Sequence, residues 1–397
     1  MTSTTETSTR GGPDAVARPA RIAVVGVHGY GAAHVLRVQE LERSGKARLV
    51  GLVDTFDGPI YREGRRVEGD LPRILPSLED LLDSTAVDIV AIATPLHTHA
   101  ELASRVLRAG ADVLLEKPPV TDLAAFEALS EVERRTGGLV QVGFQSLGSL
   151  ALAELRLVIA RGQLGTIEAI GAGGSWTRDR AYWGRAPWAG RRMLNGHRVS
   201  DGAVSNPFAH AVMTALTVAG WNAPDAIGSV ETDLHRANAI DVDDTSVVRV
   251  LPSTAGRATF DGALTCAFTL AGPREDSPFV MVRGSKGTAV LHYTEDRLTL
   301  PQNGAQRFGR VDLMQNLMDA RARSAELLSP LSATGAFVSV IEAVGAAPVH
   351  AIEPENVRWR GAGEQAHPVI PGIVEIIELA LSREQLFREL PEAHWAR

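Results

Sequence analysis

At 397 residues the chain is longer than one ordinary hydrophobic core supports, so its length favours two domains. A content of 45% hydrophobic and 22% charged residues is typical of globular proteins, and the net charge of −7 offers no electrostatic attraction to nucleic acid or to an anionic membrane. The single cysteine, Cys266, excludes an internal disulfide and a cysteine-based zinc site, which favours a reducing, cytoplasmic location. No apolar run reaches the roughly 18 residues that a membrane span requires.

The N-terminal part of the chain alternates between short apolar runs and helical stretches. Residues 1–20 are rich in Ser and Thr and lack the apolar core of a signal peptide, so they are predicted to form a disordered leader. Amphipathic helices separate the apolar runs that follow, which predicts a parallel sheet covered on both faces, a doubly wound Rossmann domain over residues 21–146. The predicted strands are RIAVVG (21–26), ARLVGLVD (47–54), VDIVAIAT (87–94), ADVLLEK (111–117) and LVQVGFQ (139–145). Thr121 or Asp122 is predicted to cap the helix after the fourth strand.

The pattern changes after residue 146, where alternation with a period of two predicts half-exposed antiparallel strands. Residues 147–397 are therefore predicted to form a second α/β domain with an open, mostly antiparallel sheet, covered by helices of the chain or by another subunit. The final helix, near 372–383, is expected to pack back on the first domain. Cys266 is predicted to be a buried thiol, whereas Asp243 and Asp244 are expected in a solvated turn.

A glycine-rich turn, GVHGYG (26–31), follows the first strand and precedes a helix. Gly26 and Gly31 fit the first and third glycines of the dinucleotide pattern, while a histidine takes the second position. The pattern requires a tight turn and backbone N–H groups close to a pyrophosphate at a helix N-terminus. The alternative is a glycine turn in the same fold that binds no nucleotide. The predicted cofactor-binding residues of this turn are Gly26, His28, Gly29, Tyr30 and Gly31.

Asp54 ends the second strand at about the distance from the turn that the dinucleotide pattern requires. A carboxylate at this place binds both ribose hydroxyls and repels a 2′-phosphate. Thr55 and Phe56 follow, so no arginine is present to accept that phosphate. The sequence therefore predicts NAD rather than NADP.

The ends of the other strands supply further candidates, because ligands bind beyond the carboxyl ends of parallel strands. Thr94 and Pro95 are predicted to lie under the ribose on the nicotinamide side. His97 and His99 follow, but with no cysteine or carboxylate cluster nearby they favour a helix start, and no metal is predicted. The remaining cofactor-side candidates are His97, Glu116, Lys117 and Gln145. Lys117 is one of only three lysines in the chain.

At this point the chain resembles a known family. The segments AVVGVHGYGAAH, ATPLHTHAELA, LLEKPPVTDLAAFEAL and VQVGFQ are similar to those of the Gfo/Idh/MocA (glucose–fructose oxidoreductase, inositol dehydrogenase, MocA) family, and the EKP of residues 116–118 is the most specific element. The resemblance, which covers nearly the whole chain from Arg21, implies a Rossmann domain and a C-terminal α/β domain whose open sheet commonly mediates dimers or tetramers. It also implies oxidation of a sugar or cyclitol hydroxyl, or reduction of the ketone, with NAD(P).

The family usually places an aspartate and, four residues later, a histidine at the start of a helix in the second domain. In DGAVSNPFAHAVMTAL (201–216) His210 matches the histidine and Asn206 stands at the aspartate position, on the same helical face. His210 can take a hydroxyl proton, and Asn206 can orient its ring but supplies no negative charge. The alternative for His210 is a hydrogen-bonded helix histidine. The predicted catalytic residues are Lys117, Asn206 and His210.

Residues 175–192, SWTRDRAYWGRAPWAGRR, contain three of the six tryptophans, interleaved with charged side chains. Aromatic faces pack on sugar rings, and Arg and Asp side chains bind hydroxyls, so the segment predicts a carbohydrate-facing loop. An oligomer interface is an equally weighted alternative, because Trp and Arg are also frequent there. The predicted substrate-binding residues are Lys117, Trp176, Arg178, Asp179, Tyr182, Trp183, Asn206 and His210.

Together these features predict an NAD-dependent oxidoreductase that interconverts a secondary hydroxyl and a ketone on a sugar, glycoside or cyclitol. The alternative is a catalytically silent NAD- or sugar-binding sensor or scaffold on the same fold, which His28 and Asn206 motivate. The expected partners are a small carbohydrate or cyclitol and copies of the same chain, as a homodimer or homotetramer formed through the C-terminal sheet.

Overall fold

The computed structural model describes residues 18–254 and 260–397. Residues 1–17 of the predicted leader therefore lie outside the described residues. Tertiary contacts divide the chain into two compact units, Met1–Val90 and Ala91–Arg397, and the boundary falls within one strand.

The first sheet has six strands in the order β3-β2-β1-β4-β5-β6, the strand order of a doubly wound Rossmann domain. The pairs β1–β2, β2–β3 and β5–β6 are parallel. The predicted domain type is thus confirmed. The strands are β1 (Ala20–Val25), β2 (Ala47–Val53), β3 (Ile74–Leu75), β4 (Ile89–Ile92), β5 (Asp112–Leu115) and β6 (Val140–Val142), and the helices are α1 (Gly31–Arg43), α2 (Leu78–Ser84), α3 (His99–Arg108) and α4 (Leu123–Thr136).

The ends of α4 follow from its sequence. Oδ1 of Asp122 accepts a hydrogen bond from the backbone N–H of Ala125 at 2.9 Å, which satisfies one of the free donors of the first turn. Gly137 ends the helix with a φ of 66°, a conformation that favours glycine. The prediction of a cap at this position is confirmed for Asp122.

The second sheet has nine strands in the order β14-β13-β12-β11-β7-β10-β9-β8-β15. Two pairs, β7–β10 and β8–β15, are parallel, and the other six are antiparallel, so the mostly antiparallel sheet is confirmed. The strands are β7 (Ile167–Thr177), β8 (Ile227–Arg236), β9 (Thr245–Pro252), β10 (Leu264–Thr269), β11 (Ala271–Gly284), β12 (Gly287–His292), β13 (Arg297–Leu300), β14 (Gly304–Arg307) and β15 (His350–Ala351). The helices are α5 (Leu150–Ala160), α6 (Ala209–Ala219), α7 (Leu313–Arg321), α8 (Gly335–Ala346) and α9 (Ile373–Arg383).

Strand β7 is glycine-rich because helical segments pack closely on both of its faces. A Cβ atom at Gly173 would lie 2.9 Å from Cδ1 of Leu381 in α9, and one at Gly174 would collide with the ring of Phe208, the residue before α6. Adjacent strand residues point to opposite faces. Helices α6 and α9 therefore lie on opposite faces of the second sheet.

The final helix corrects one expectation. Its apolar stripe, which includes Ile373, Ile377 and Leu381, packs in one cluster with Val247 and Ala267 of the second sheet. The helix therefore packs on the second sheet rather than back on the first domain, because small sheet residues offer its branched side chains a close approach. Part of the cover that an open sheet requires thus comes from a helix of the same chain.

Two aspartates correct another expectation. Asp243 and Asp244 are 2% and 0% exposed, so they do not form a solvated turn. The carboxylate of Asp244 accepts hydrogen bonds from the backbone N–H groups of Ala237 and Asn238, while Ser246 donates to Asp243 at 2.6 Å. Burial raises the pKa of both carboxyls. They act as internal acceptors for a folded loop, whereas Cys266 is buried as predicted.

Glu133 on α4 makes stability depend on pH. Burial raises the pKa of its carboxyl from 4.5 to about 7, although Oε1 accepts a hydrogen bond from the N–H of Val140 at 3.0 Å. The folded protein holds this proton more tightly than the unfolded chain, so the stability present below pH 4.5 is lost as the pH rises through 7. We expect Glu133→Gln to raise the free energy of unfolding at pH 8 by about 1–2 kcal/mol.

Urea unfolding at pH 4.5 and pH 8 checks this prediction. Glu131→Gln on the same helix is the control, since the ion pairs of Glu131 with Arg134 and Arg135 hold its pKa low, in the opposite direction. Equal stability of Glu133→Gln and the wild type at pH 8 would show that Glu133 ionises at no cost.

Candidate active site

In the first unit, the predicted glycine turn lies between β1 and α1. Gly26 and Gly29 have φ values of 82° and 77°, a conformation that favours glycine, and α1 begins at Gly31. Tyr30 is 46% exposed. The turn therefore combines two glycine-favouring conformations with the start of a helix, and it has a histidine at the position of the second glycine.

His28 in this turn contacts Asp54, which the sequence analysis did not foresee. Its backbone N–H donates to Oδ2 of Asp54 at 3.2 Å, and its ring Nδ1 lies 2.9 Å from the same oxygen. Burial raises the pKa of Asp54, but the contacts with His28 and the N–H of Phe56 outweigh it, and the net pKa is lowered. The carboxylate is therefore ionised and able to accept hydrogen bonds from ribose hydroxyls.

In the second unit, His99 joins the segments that follow β4 and β5. Its ring nitrogens lie 2.9 Å from the carbonyl oxygen of Thr94 and 2.8 Å from that of Pro118. The peptide bond between Lys117 and Pro118 is cis. His99 is buried, so it links these strand ends as a structural residue. Across residues 18–254 and 260–397, no cluster of three or more His, Cys, Asp or Glu side chains could hold a metal ion.

His97 stacks on a histidine that the sequence did not single out. The rings of His97 and His197 are parallel to within 19°, with centroids 4.6 Å apart. His197 belongs to a short hairpin formed by Met193–Leu194 and His197–Arg198. Burial and the neighbouring His197 lower the pKa of His97. This stack ties the hairpin to the predicted cofactor-side segment after β4.

Lys117 follows β5 and is half-buried. Its Nζ donates hydrogen bonds to Oδ1 of Asn206 at 2.5 Å and to the carbonyl oxygen of Asn206 at 3.0 Å. Burial lowers the pKa of its ammonium group, and the charges of Glu116 and Asp201 oppose that shift. Two of the predicted catalytic residues, Lys117 and Asn206, are therefore in direct contact although they are 89 positions apart in the chain.

Glu116 lies between Lys117 and Gln145. The N–H of Lys117 donates to Oε2 of Glu116, and Nε2 of Gln145 donates to Oε1, both at 3.3 Å. A Cβ atom at position 143 would lie 2.8 Å from Oε1 of Glu116, so Gly143 leaves room for the carboxylate. Glu116 thus connects the ends of β5 and β6, where two predicted cofactor-side residues meet.

His210 occupies the first turn of α6. Burial, together with the positive charges of Lys117 and Arg310, lowers its pKa to about 3. The imidazole is therefore neutral at pH 7. Its buried Nδ1 has no hydrogen-bond partner among the residues that the structure describes. The side chain of Asn206 bonds Lys117 and Asp201 instead of orienting the His210 ring, which corrects that expectation.

The aromatic rings of residues 175–192 are mostly occupied by arginines of the same segment. The guanidinium of Arg178 lies 4.8 Å from the ring of Trp176 and 5.0 Å from that of Tyr182. Arg185 lies 3.8 Å from Tyr182 and 4.6 Å from Trp188. These guanidinium groups cover ring faces that the sequence analysis assigned to sugar packing.

A cavity of about 600 Å³ lies beside this segment. It brings together three predicted substrate-binding residues, Arg178, Asp179 and Tyr182. Arg178 also forms an ion pair with Glu275 at 2.6 Å. Trp176 and Trp183 are not among the lining residues. The sequence analysis missed four further lining residues. Thr177 lies within the segment, whereas Glu275, Gln365 and His367 come from distant parts of the chain.

Comparisons with known proteins agree with this architecture. Residues 20–144 match the sequence model of the GFO_IDH_MocA family, described as an oxidoreductase family with an NAD-binding Rossmann fold. Inositol 2-dehydrogenase 2 of Saccharopolyspora erythraea is 34% identical over 145 residues, which are 36% of this chain and 42% of that protein. The match thus spans less than half the length of this curated relative.

Two solved structures share the fold over most of the chain. The WlbA dehydrogenase of Bordetella pertussis, in complex with NADH and UDP-GlcNAcA, superposes with a TM-score of 0.65 at 20% identity, covering 82% of this chain and 95% of the other. Levoglucosan dehydrogenase, in complex with NADH, gives a TM-score of 0.65 at 16% identity, covering 83% and 97%. At these identities the likeness concerns the fold alone.

The fold and the glycine turn define the class of the N-terminal part, which is an NAD-binding Rossmann domain. Residues 20–144 match the model of the Gfo/Idh/MocA family of oxidoreductases, so the resemblance seen in the sequence is confirmed over these residues. None of the helices in the described ranges is long and apolar enough to cross a membrane.

Proposed function

We propose that the protein is an NAD-dependent oxidoreductase that interconverts a secondary hydroxyl and a ketone on a sugar, glycoside or cyclitol. The observation that carries the proposal is the cluster of Lys117, Asn206 and His210. It combines a half-buried ammonium group, which can donate a hydrogen bond to the reacting oxygen, with an imidazole that is uncharged at pH 7.

Two groups in the cluster have separate roles at the reacting oxygen. Lys117 donates a hydrogen bond to that oxygen and stabilises the negative charge that develops on it. His210 accepts the hydroxyl proton in the oxidation direction and returns it in the reduction direction. Asn206 holds the lysine through the 2.5 Å hydrogen bond. The nicotinamide ring of bound NAD supplies the hydride acceptor or donor.

The proposed cofactor-binding residues all follow strands of the first sheet. Asp54, kept ionised, would bind the ribose hydroxyls, and the turn from Gly26 to Gly31 would face the pyrophosphate. The carboxylate of Asp54 favours NAD over NADP, because it would repel a 2′-phosphate. Thr94, Pro95, His97, Glu116 and Gln145 would bind the nicotinamide side.

The substrate class rests on the cavity beside residues 175–192. Arg178, Asp179 and Tyr182 give it donors, acceptors and an aromatic ring, which suit a polyhydroxylated ring. Trp176 and Trp183 would shape this site from behind the lining. The matched relative acts on inositol, as its name states, and this supports the cyclitol or sugar class.

Three further proposals complete this function. Residues 21–146 would bind the cofactor, and residues 147–397 would bind substrate and mediate oligomers through the second sheet. The oligomer would be a homodimer or a homotetramer, which light scattering distinguishes. The protein would act in the cytoplasm.

Mixing the purified protein with NAD and a panel of sugars, glycosides and inositols tests the proposal. We expect reduced cofactor to accumulate with at least one substrate, and a parallel series with NADP to give slower turnover. Tight NAD binding without turnover on any member of a broad panel would favour the silent sensor or scaffold.

A further inference from the structure

We propose that Asp201 is a positioning residue for Lys117, acting through the side-chain amide of Asn206 and itself braced by Arg185. The inference rests on the proposed function, in which Lys117 binds the reacting oxygen. It assigns a role to a buried carboxylate that precedes the predicted catalytic helix, and to the arginine-rich aromatic segment before it.

The hydrogen bonds fix the orientation of the Asn206 amide. The Lys117 ammonium can only donate, so it must face Oδ1, which lies 2.5 Å away. The Asp201 carboxylate can only accept, so it must face Nδ2, which donates to its Oδ1 at 2.5 Å. One rotamer satisfies both contacts, and turning the amide over would break both. Asp201 therefore determines where the oxygen that holds Lys117 points.

Asparagine at position 206 and aspartate at position 201 belong together. A carboxylate at position 206 would have no hydrogen to donate, and it would face Asp201 as a second negative charge. With asparagine at position 206, the nearest carboxylate in this chain of hydrogen bonds is that of Asp201, which reaches Lys117 through the Asn206 amide. The negative charge that the sequence pattern leads one to expect beside the lysine is thus supplied by Asp201.

Arg185 fixes Asp201 in turn. Its Nη2 donates to Oδ1 and Oδ2 of Asp201 at 2.8 and 2.7 Å, and the N–H of Gly190 donates to Oδ2 at 2.9 Å. Asp201 is 1% exposed, so its charge depends on these donors. The guanidinium lies over the rings of Tyr182 and Trp188. Two aromatic residues of segment 175–192 therefore brace an arginine that supports the lysine site.

The charges around Lys117 give the proposal a distinctive signature. Glu116 and Asp201 face the ammonium group as anions and Arg185 faces it as a cation, while His210 is neutral at pH 7. Asp201 stabilises the protonated lysine and Arg185 destabilises it. Removing Asp201 should therefore lower the pKa of Lys117, and removing Arg185 should raise it. A general loss of packing would instead shift that pKa in the same direction in both variants.

Lysine content makes that titration measurable directly. The chain has only three lysines, and the other two, Lys46 and Lys286, are exposed and serve as internal references. Trace acetylation with acetic anhydride over a pH series, read by mass spectrometry of peptides, reports the neutral amine of each. We expect Asp201→Asn to lower the midpoint of Lys117 by about one pH unit and Arg185→Met to raise it, with the references unmoved.

Two double variants complete the test. Asp201→Asn with Arg185→Met removes both charges together, so this double variant should fold even if a single variant does not. The midpoint of its Lys117 titration should stay near that of the wild type. Asp201→Asn with Asn206→Asp returns a carboxylate to the lysine and should restore a high midpoint. Shifts of the same sign in both single variants, or a swap variant that stays at the midpoint of Asp201→Asn, would overturn the proposal.

The labelling result separates this inference from the proposed function. If the wild type turns over a substrate, the basic limb of its kcat profile should move with the labelling midpoint in each variant. If it turns over none, the proposed function fails, and the midpoints of Lys117 still decide whether Asp201 positions it.

Discussion

Lys117→Ala is expected to lower kcat for hydroxyl oxidation by roughly 10²–10³-fold, the usual loss on removing a donor to a developing oxyanion. Nζ of Lys117 is held by two hydrogen bonds to Asn206, so its position is fixed before substrate binds. Affinity for NAD should change little, because Asp54 and the glycine turn carry the proposed ribose and pyrophosphate contacts. Steady-state kinetics and calorimetric titration with NAD check the two parts.

Lys117→Arg is the sharper variant at the same position. A guanidinium keeps the charge but presents a wide, planar fork in place of a compact ammonium group, and it cannot sit 2.5 Å from the same amide oxygen without displacing Asn206. We expect it to lose most activity as well. Lys286→Ala, at an exposed lysine, is the matched control. Full activity of Lys117→Arg would mean that only positive charge is required.

Several features could be predicted from sequence because their causes are local. Asp122 and Gly137 mark the ends of α4 through contacts within one turn of helix. The carboxyl ends of parallel strands lie at one edge of the first sheet, so Glu116 and Gln145 could both be predicted as cofactor-side residues. In the structure they form a hydrogen bond with each other. The family resemblance added Asn206 and His210 to Lys117 as the predicted catalytic residues.

Other features could not be predicted, because they depend on contacts between distant parts of the chain. Nothing in the sequence of β7 tells which helix packs on Gly173, and in the structure the final helix does so. Asp243 and Asp244 look like a polar turn until the backbone donors around them are known. The brace of Asp201 by Arg185 joins two residues that the sequence analysis did not connect.

His28 shows the same limit within a motif. Compared with the dinucleotide pattern, a histidine in place of the second glycine suggests a weakened cofactor site. In the structure its backbone and ring both approach Asp54, the residue predicted to bind ribose. The histidine that departs from the glycine pattern thus contacts the acidic residue of the same motif. This contact is visible only in the structure.

Replacing His210 tests the second half of the proposed chemistry. Glutamine has a similar size and can hydrogen-bond, but it cannot take a proton, so His210→Gln should lower kcat for oxidation by roughly 10²–10⁴-fold. Since the pKa of His210 lies at about 3, the base is available throughout pH 5–8. The wild-type kcat/KM profile should therefore lack an inflection near the usual histidine pKa of about 6.5, and the variant should lower the whole plateau.

Chemical rescue makes the assignment of His210 specific. His210→Ala leaves a space beside Phe144, whose ring centroid lies 5.8 Å from that of the imidazole, and added imidazole should recover part of the activity as a diffusible base. His394→Gln, at an exposed histidine near the C-terminus, is the control and should match the wild type. A His210→Gln variant with wild-type turnover would assign proton transfer to another group. His210 would then be a structural helix histidine, with Lys117 as the charged group at the reacting oxygen.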